Sequence, residues 1–143
     1  MRNTLTKTLI AAAIGWGAAC ASAAMVELSG DLSGTHEVPP NASAAKGVAK
    51  ATLDTSNNEL TWTVSYSGLS AAPTAAHIHG PAAVGSNAGV VVGFKGSLDS
   101  PFTGKAVLTA EQTQQLLDGK YYINLHTKEA PGGEVRAQLV PAK

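Results

Sequence analysis

The sequence predicts an all-β protein, an antiparallel sandwich or barrel with one short helix. Beyond its apolar start, the chain divides into short segments in which apolar and polar side chains alternate. Gly, Pro, Asn or Ser separates most of these segments, and alternation with a period of two indicates half-buried strands between turns. Many short strands at this spacing are typical of antiparallel sandwiches and barrels.

The first element is a predicted secretory signal peptide over residues 1–23. Arg2 and Lys7 give a positive start, the apolar run that follows is too short to span a bilayer, and Ala21 to Ala23 offer a small-residue cleavage site. We therefore expect a periplasmic or secreted protein in which residues 24–143 form a single β domain.

Cysteine use and charge exclude several kinds of function. Cys20 is the only cysteine and lies in the predicted signal, so the exported domain would have no disulfide, thiolate metal site or cysteine nucleophile. The rival interpretation is a lipoprotein acylated at Cys20, which the glycine three positions earlier disfavours. Ten basic residues balance ten acidic ones without a basic cluster, so we expect no nucleic-acid partner and no membrane span.

The candidate strands follow in chain order. The clearest is the third, where Leu60, Trp62 and Val64 alternate with polar residues, so that Trp62 is a predicted core anchor. The candidate strand segments are residues 25–34, 47–55, 58–69, 75–80, 89–98, 104–109, 120–127 and 133–140.

One segment, residues 109–119, breaks the alternating pattern. Thr109 is a candidate helix N-cap, and Gln112 three residues later completes a capping box. Leu116 supplies an apolar contact, and Gly119 is a stop signal. We expect a short helix that crosses one end of the sheet.

Strand parity places three of the four histidines on outward faces. In the segment 75–80, His77 and His79 flank Ile78, so burial of the isoleucine turns both rings outward. Residues two apart on a strand are separated by roughly 6.5–7 Å, which lets both rings reach one ion. His126 lies opposite the aliphatic face of its own strand and would complete the site if that strand is adjacent.

This histidine pattern favours a metal site over simple surface polarity. An outward histidine is usually a solvated polar residue, and a single His-x-His is a weak signal. The distribution raises the odds, since two strands carry their histidines on the polar face beside glycine-containing turns. Imidazoles without a nearby thiolate or carboxylate suit copper or zinc, and the general affinity order puts Cu²⁺ first.

Three motifs together resemble the CHRD domain family. They are "LSGTHEVPP" at residues 32–40, "AAHIHGPA" at 75–82 and "YYINLHTKEAPGGEVRAQL" at 121–139. The resemblance implies an immunoglobulin-like or Greek-key antiparallel barrel, an association with copper and an activity like that of superoxide dismutases. Because "HIHG" is similar to the copper-binding motif of Cu/Zn superoxide dismutases, the resemblance makes His77 and His79 two copper ligands and His126 a third.

The chain departs from these relatives in two respects. His36 precedes Glu37, where the resemblance leads us to expect Gln or Asn, so His36 is either a fourth ligand or a polar substitution. We favour ligation, because Pro39 and Pro40 make its loop rigid. The exported domain also lacks the cysteines and the extra His and Asp cluster of a Cu/Zn enzyme, which leaves a copper-only site.

The expected function is superoxide removal by redox cycling of copper, with Arg136 as a nearby catalytic residue. Arg136 alternates with Val135 and Ala137, so we expect it to point outward and attract the anionic substrate. The alternative for Arg136 is an ion pair with Glu134 or another carboxylate. The alternative function is a non-catalytic periplasmic copper carrier or storage protein, or a protein-binding module. The expected partner is superoxide or a copper ion, and homodimer formation stays open.

Overall fold

The computed structural model describes residues 23–143, so the predicted signal peptide and Cys20 lie outside the described residues. The described chain forms eight strands, one 3-10 turn and one α-helix. In chain order these are β1 Met25–Ser33, the 3-10 turn Gly34–His36, β2 Lys46–Asp54, β3 Glu59–Ser67, β4 Pro73–His79, β5 Val90–Gly93, β6 Phe102–Val107, α1 Ala110–Leu117, β7 Tyr121–Thr127 and β8 Val135–Pro141.

The eight strands form one antiparallel sheet in the order β5-β4-β7-β8-β1-β2-β3-β6. The two ends of this sheet approach each other. Phe94, just after β5, stacks on Trp62 of β3 with ring centroids 4.6 Å apart, and its ring lies 5.7 Å from that of Phe102 in β6. The sheet therefore curls into a nearly closed barrel, which confirms the predicted all-β antiparallel fold.

The barrel interior is apolar and follows from the alternation in each strand. In β3, Leu60, Trp62 and Val64 are buried, whereas Thr61 and Thr63 are exposed. Burial of such side chains is the main favourable contribution to folding. The predicted role of Trp62 as a core anchor is confirmed.

The predicted helix is confirmed in its position and its cap. The Thr109 hydroxyl accepts a hydrogen bond from the backbone of Gln112, and the Gln112 side chain accepts one from the backbone of Thr109. Leu116 is fully buried, and Gly119 follows the helix at a φ of 70°, a conformation that glycine adopts without strain. Among the described residues, no helix is long and apolar enough to cross a bilayer.

Some strand limits differ from the expectation. β5 ends at Gly93 rather than continuing to residue 98, because Phe94 turns towards Trp62. β4 and β6 begin earlier than expected, at Pro73 and Phe102.

A second, polar layer covers the outer face of β4, β7 and β8. Tyr122, Asn124 and Arg136 point away from the apolar interior, yet each is at most 5% exposed. The loop between β4 and β5, residues 80–89, is held against this face by the side chains of Tyr122 and Arg136. Strand parity therefore gives the correct face for these side chains, but that face is covered by other residues rather than exposed to solvent.

Candidate metal centre

Three histidines from two neighbouring strands meet on this outer face. β4 and β7 pair in antiparallel register, with His77 opposite Asn124 and His126 opposite Ala75. His77, His79 and His126 each offer one ring nitrogen, and these three atoms lie within 4.8 Å of one another. Ile78, between the first two, is fully buried in the barrel. The adjacency of β4 and β7, which the sequence left as a condition for the site, brings the rings together.

The three rings are arranged around a shared centre. His77 Nδ1 lies 3.1 Å from His126 Nε2. The ring centroid of His77 is 5.4 Å from that of His79 and 4.9 Å from that of His126, and the interplanar angle is large in both pairs. The short contact between His77 and His126 is a hydrogen bond between the two rings, and the ring of His79 lies edge-on to that of His77.

Backbone carbonyls fix the proton position on two of the rings. His79 Nδ1 lies 3.0 Å from the carbonyl of Ala88, and His126 Nδ1 lies 2.9 Å from the carbonyl of Pro131. A carbonyl can only accept, so each Nδ1 carries the proton and each Nε2 keeps its lone pair in the neutral ring. His79 Nε2 is buried and has no hydrogen-bond partner among the described residues. A hydrogen bond from one ring nitrogen to a carbonyl is what orients many metal-binding histidines, because it fixes the rotation of the ring.

The environment of the cluster favours neutral imidazoles. Burial lowers the pKa of His77, and the neighbouring His126 and His79 lower it further. Burial also lowers the pKa of His79, an effect that its hydrogen bond to Ala88 only partly offsets. Since only a neutral imidazole can bind a metal, the lowered pKa values of His77 and His79 favour the form in which these two rings can act as ligands.

A stack of three side chains adjoins the cluster. The ring of Tyr122 is parallel to that of His79, with centroids 4.9 Å apart and an interplanar angle of 3°. On the opposite face of Tyr122, the Arg136 guanidinium carbon lies 3.8 Å from the ring centroid. We call this arrangement of Arg136, Tyr122 and His79 the stacked column.

Arg136 is buried and its two terminal nitrogens donate hydrogen bonds, whereas its Nε has no hydrogen-bond partner among the described residues. It donates to the carbonyl of Ser86 over 2.9 Å and to the side chain of Asn87. Its Nε lies 3.6 Å from Glu37 Oε2. The expectation that Arg136 lies on the outer face agrees with this placement, but the side chain is 5% exposed, so the loop separates its charge from solvent.

Glu37, rather than Glu134, is the carboxylate that faces Arg136. Burial raises the pKa of Glu37 to about 7, against the opposing effects of Arg136 and of the hydrogen bond from Asn124. Glu134 is occupied elsewhere, because it accepts hydrogen bonds from Ser43, Ser70 and Thr127. The expected alternative of a pair with Glu134 is therefore replaced by a buried pair with Glu37.

His36 lies outside the group of three histidines. It is exposed at the end of the 3-10 turn, and its Nδ1 lies 3.0 Å from the carbonyl of Asp31 and 3.3 Å from that of Arg136. These contacts hold its ring against β1 and β8, whereas the three clustered rings belong to β4 and β7.

Neither Tyr122 nor the 80–89 loop is among the features predicted for the site. Tyr122 has the same strand parity as His126, so its presence on the histidine face was readable from the sequence. Its stacking on His79 could not be predicted from the sequence, because it depends on the register between β4 and β7. That register places Tyr122 opposite His79.

The order of the strands and the three motifs can now be compared with known proteins. The model of the CHRD domain family matches residues 28–139. The chain belongs to the CHRD domain family. The matched part of this CHRD domain contains all the histidines and the complete stacked column. No curated protein and no solved structure matches the chain.

Proposed function

We propose that this CHRD domain is exported, binds one copper ion through His77, His79 and His126, and removes superoxide. The observation that carries the proposal is the convergence of three imidazole nitrogens within 4.8 Å. The lowered pKa of His77 and of His79, caused first by burial, adds support because it keeps these rings neutral.

The donor set favours copper over other metals. The residues that meet at this centre supply imidazole nitrogens, without thiolate or carboxylate oxygen. Hard ions such as Mg²⁺ and Ca²⁺ prefer oxygen ligands, and among divalent ions that accept imidazole, Cu²⁺ binds most tightly.

The same geometry supports catalysis. A copper ion held by His77, His79 and His126 would supply one-electron redox chemistry, by which two superoxide ions and two protons give dioxygen and hydrogen peroxide. Three protein ligands leave a coordination position for a small substrate. The Nε2 atom of His79 is buried, whereas His77 and His126 are only partly buried, so a small substrate would approach from the side of His77 and His126.

Metal binding is tested with the exported chain, starting from metal-free protein. We expect about one equivalent of Cu²⁺, bound more tightly than Zn²⁺. The His77→Ala/His79→Ala double variant should lose this copper, and Thr63→Ala, on the exposed face of β3, serves as the control. Full copper loading of the double variant would overturn the proposal.

Turnover is tested by the rate of superoxide removal per bound copper. We expect the loaded protein to exceed matched peptide-bound copper by at least about tenfold, the effect of roughly 1.4 kcal/mol on a barrier. Stoichiometric copper binding without this acceleration would instead favour the copper carrier or storage function. Export is checked by the mass of the secreted protein, which should begin near Ala24.

A further inference from the structure

We propose that Tyr122 is the positioning residue of the metal centre, which sets the plane and rotation of the His79 ring. The inference rests on the proposed function in one respect, that a metal binds the histidine cluster. It assigns a role to a side chain that offers no ligand atom to the cluster.

The first argument is the stacking geometry. Tyr122 and His79 lie opposite each other in the β4 and β7 register, and their rings are parallel to within 3°. Tyr122 is 2% exposed, so its ring is packed on all sides. Steric contact with this ring prevents the His79 imidazole from tilting towards Tyr122.

The second argument is a shared hydrogen-bond partner. The Tyr122 hydroxyl accepts from the backbone N–H of Ala88 over 3.1 Å and donates to its carbonyl over 3.3 Å. The same carbonyl accepts from His79 Nδ1 over 3.0 Å. Tyr122 thus holds the peptide group that fixes the rotation of His79, in addition to packing against its ring.

The third argument is that Tyr122 is itself immobilised. Arg136 packs against its far face at 3.8 Å and also donates to Ser86 in the loop that contains Ala88. The column and the loop are therefore joined at two points. A ligand held in this way stays in its binding orientation before the metal arrives, which is the condition for a preorganised site.

The test compares three full-length variants. Tyr122→Phe keeps the stacked ring but loses both hydrogen bonds to Ala88, and Tyr122→Leu loses the stacked ring as well. Tyr121→Phe is the matched control, because Tyr121 bonds through its hydroxyl to Gln115 at 3.1 Å, away from the histidines. The measurements are Cu²⁺ affinity, the Cu²⁺ electron paramagnetic resonance spectrum, and the nitrogen NMR signals of His79 in the metal-free protein.

We expect Tyr122→Leu to bind Cu²⁺ at least about tenfold more weakly, the usual effect of losing an outer-shell partner. Its copper spectrum should also change. Tyr122→Phe should change the His79 nitrogen signals and lower the affinity by a smaller factor, and Tyr121→Phe should match the wild type in every readout. A merely structural role would lower the stability of the variants without changing the copper spectrum.

The outcomes separate this inference from the proposed function. Wild-type protein that binds no copper would overturn the proposed function, while the His79 NMR signals of the metal-free variants would still test Tyr122. Should Tyr122→Leu fail to fold, Tyr122→Phe decides. Folded Tyr122 variants with wild-type NMR signals and copper spectra would overturn the positioning role.

Discussion

The pKa values of two buried glutamates next to the polar layer are shifted in opposite directions. Burial raises the pKa of Glu37 to about 7, and its interactions with Arg136 and Asn124 do not cancel this effect. Burial also raises the pKa of Glu134, but hydrogen bonds from Ser70, Thr127 and Ser43 outweigh it, so that the pKa lies below its ordinary value. The balance between desolvation and donated hydrogen bonds decides whether the pKa of a buried carboxyl group is raised or lowered.

Glu134→Gln tests this balance. A carboxylate with a lowered pKa in the folded state stabilises the protein above its unfolded pKa, ordinarily 4.5, and this stability is lost as the pH falls through the folded pKa. Ser70 and Thr127 both donate to Oε2, where an amide nitrogen cannot accept. We expect a loss of about 1–3 kcal/mol near neutral pH.

Chemical denaturation across the pH range checks this expectation. The difference between wild type and Glu134→Gln should shrink on acidification, since the wild type then loses its own contribution. An equal difference at neutral pH and near pH 3 would contradict the assignment of the lowered pKa.

The buried position of Arg136 changes the prediction for its role in turnover. Screening by salt acts mainly on exposed charges, whereas Arg136 is 5% exposed. Arg136→Ala should therefore slow superoxide removal by a factor that stays the same at high salt. Lys128→Ala removes a cation whose side chain is 73% exposed, two residues after His126, and gives the comparison for substrate attraction. A loss in Arg136→Ala that disappears at high salt would restore the steering role.

His36→Gln tests whether the fourth histidine belongs to the proposed copper site. Because His36 contacts Asp31 and Arg136 carbonyls rather than the other rings, we expect copper stoichiometry and the paramagnetic resonance spectrum to stay as in the wild type. His126→Gln should alter both. A changed spectrum in His36→Gln would make it a ligand after all.

At the scale of elements, the strands and the helix could be predicted from the sequence where neighbouring residues alone determine the local structure. The Thr109 capping box lies within four residues of sequence, and the alternation in β3 needs only one buried face. The early end of β5 was not readable, because Phe94 leaves the strand to meet Trp62 on a distant strand.

Thr109→Ala tests how much the cap contributes to α1. The variant loses the hydroxyl that accepts from the backbone of Gln112, so we expect a loss of about 1 kcal/mol in the free energy of unfolding. Gln114→Ala, on the exposed part of the same helix, is the control and should change stability by less than about 0.5 kcal/mol. Denaturant titration measures both, and equal stabilities would assign the helix start to packing of Leu116 instead.

The candidate metal centre could be predicted in part, because strand parity also depends only on neighbouring residues. Parity placed His77, His79 and His126 on outer faces, and the pairing of β4 with β7 then brought them together. Parity could not show that the 80–89 loop returns over that face. Loop coverage depends on contacts between distant segments, such as Arg136 with Ser86, and alternation carries no information about them.

At the scale of the whole molecule, closure of the barrel depends on a few aromatic contacts. The ends of the sheet, β5 and β6, are not paired with each other by backbone hydrogen bonds. Phe94 instead bridges them through Trp62 and Phe102. The all-β class followed from strand patterns, whereas this closing contact arises only when the complete sheet has curled.

Phe94→Ala tests the closing contact. The variant removes a partly buried ring that stacks on Trp62, so we expect a loss on the order of 2 kcal/mol in stability. Val90→Ala is the control, since Val90 lies on β5, the edge strand that Phe94 follows, and is 55% exposed. Thermal or denaturant unfolding that does not distinguish the two variants would show that other contacts close the barrel.

The placement of Ile78 between two histidines of the candidate metal centre ties the length of β4 to both the interior and that centre. Inserting or deleting a single residue inside β4 would turn one set of side chains to the wrong face, and neither compensating substitutions nor metal supply would restore both. The 80–89 loop is under no such constraint at Gly85, where added atoms meet open space. Length variation among descendants of this domain is therefore expected at the loop tip, while β4 changes by substitution alone.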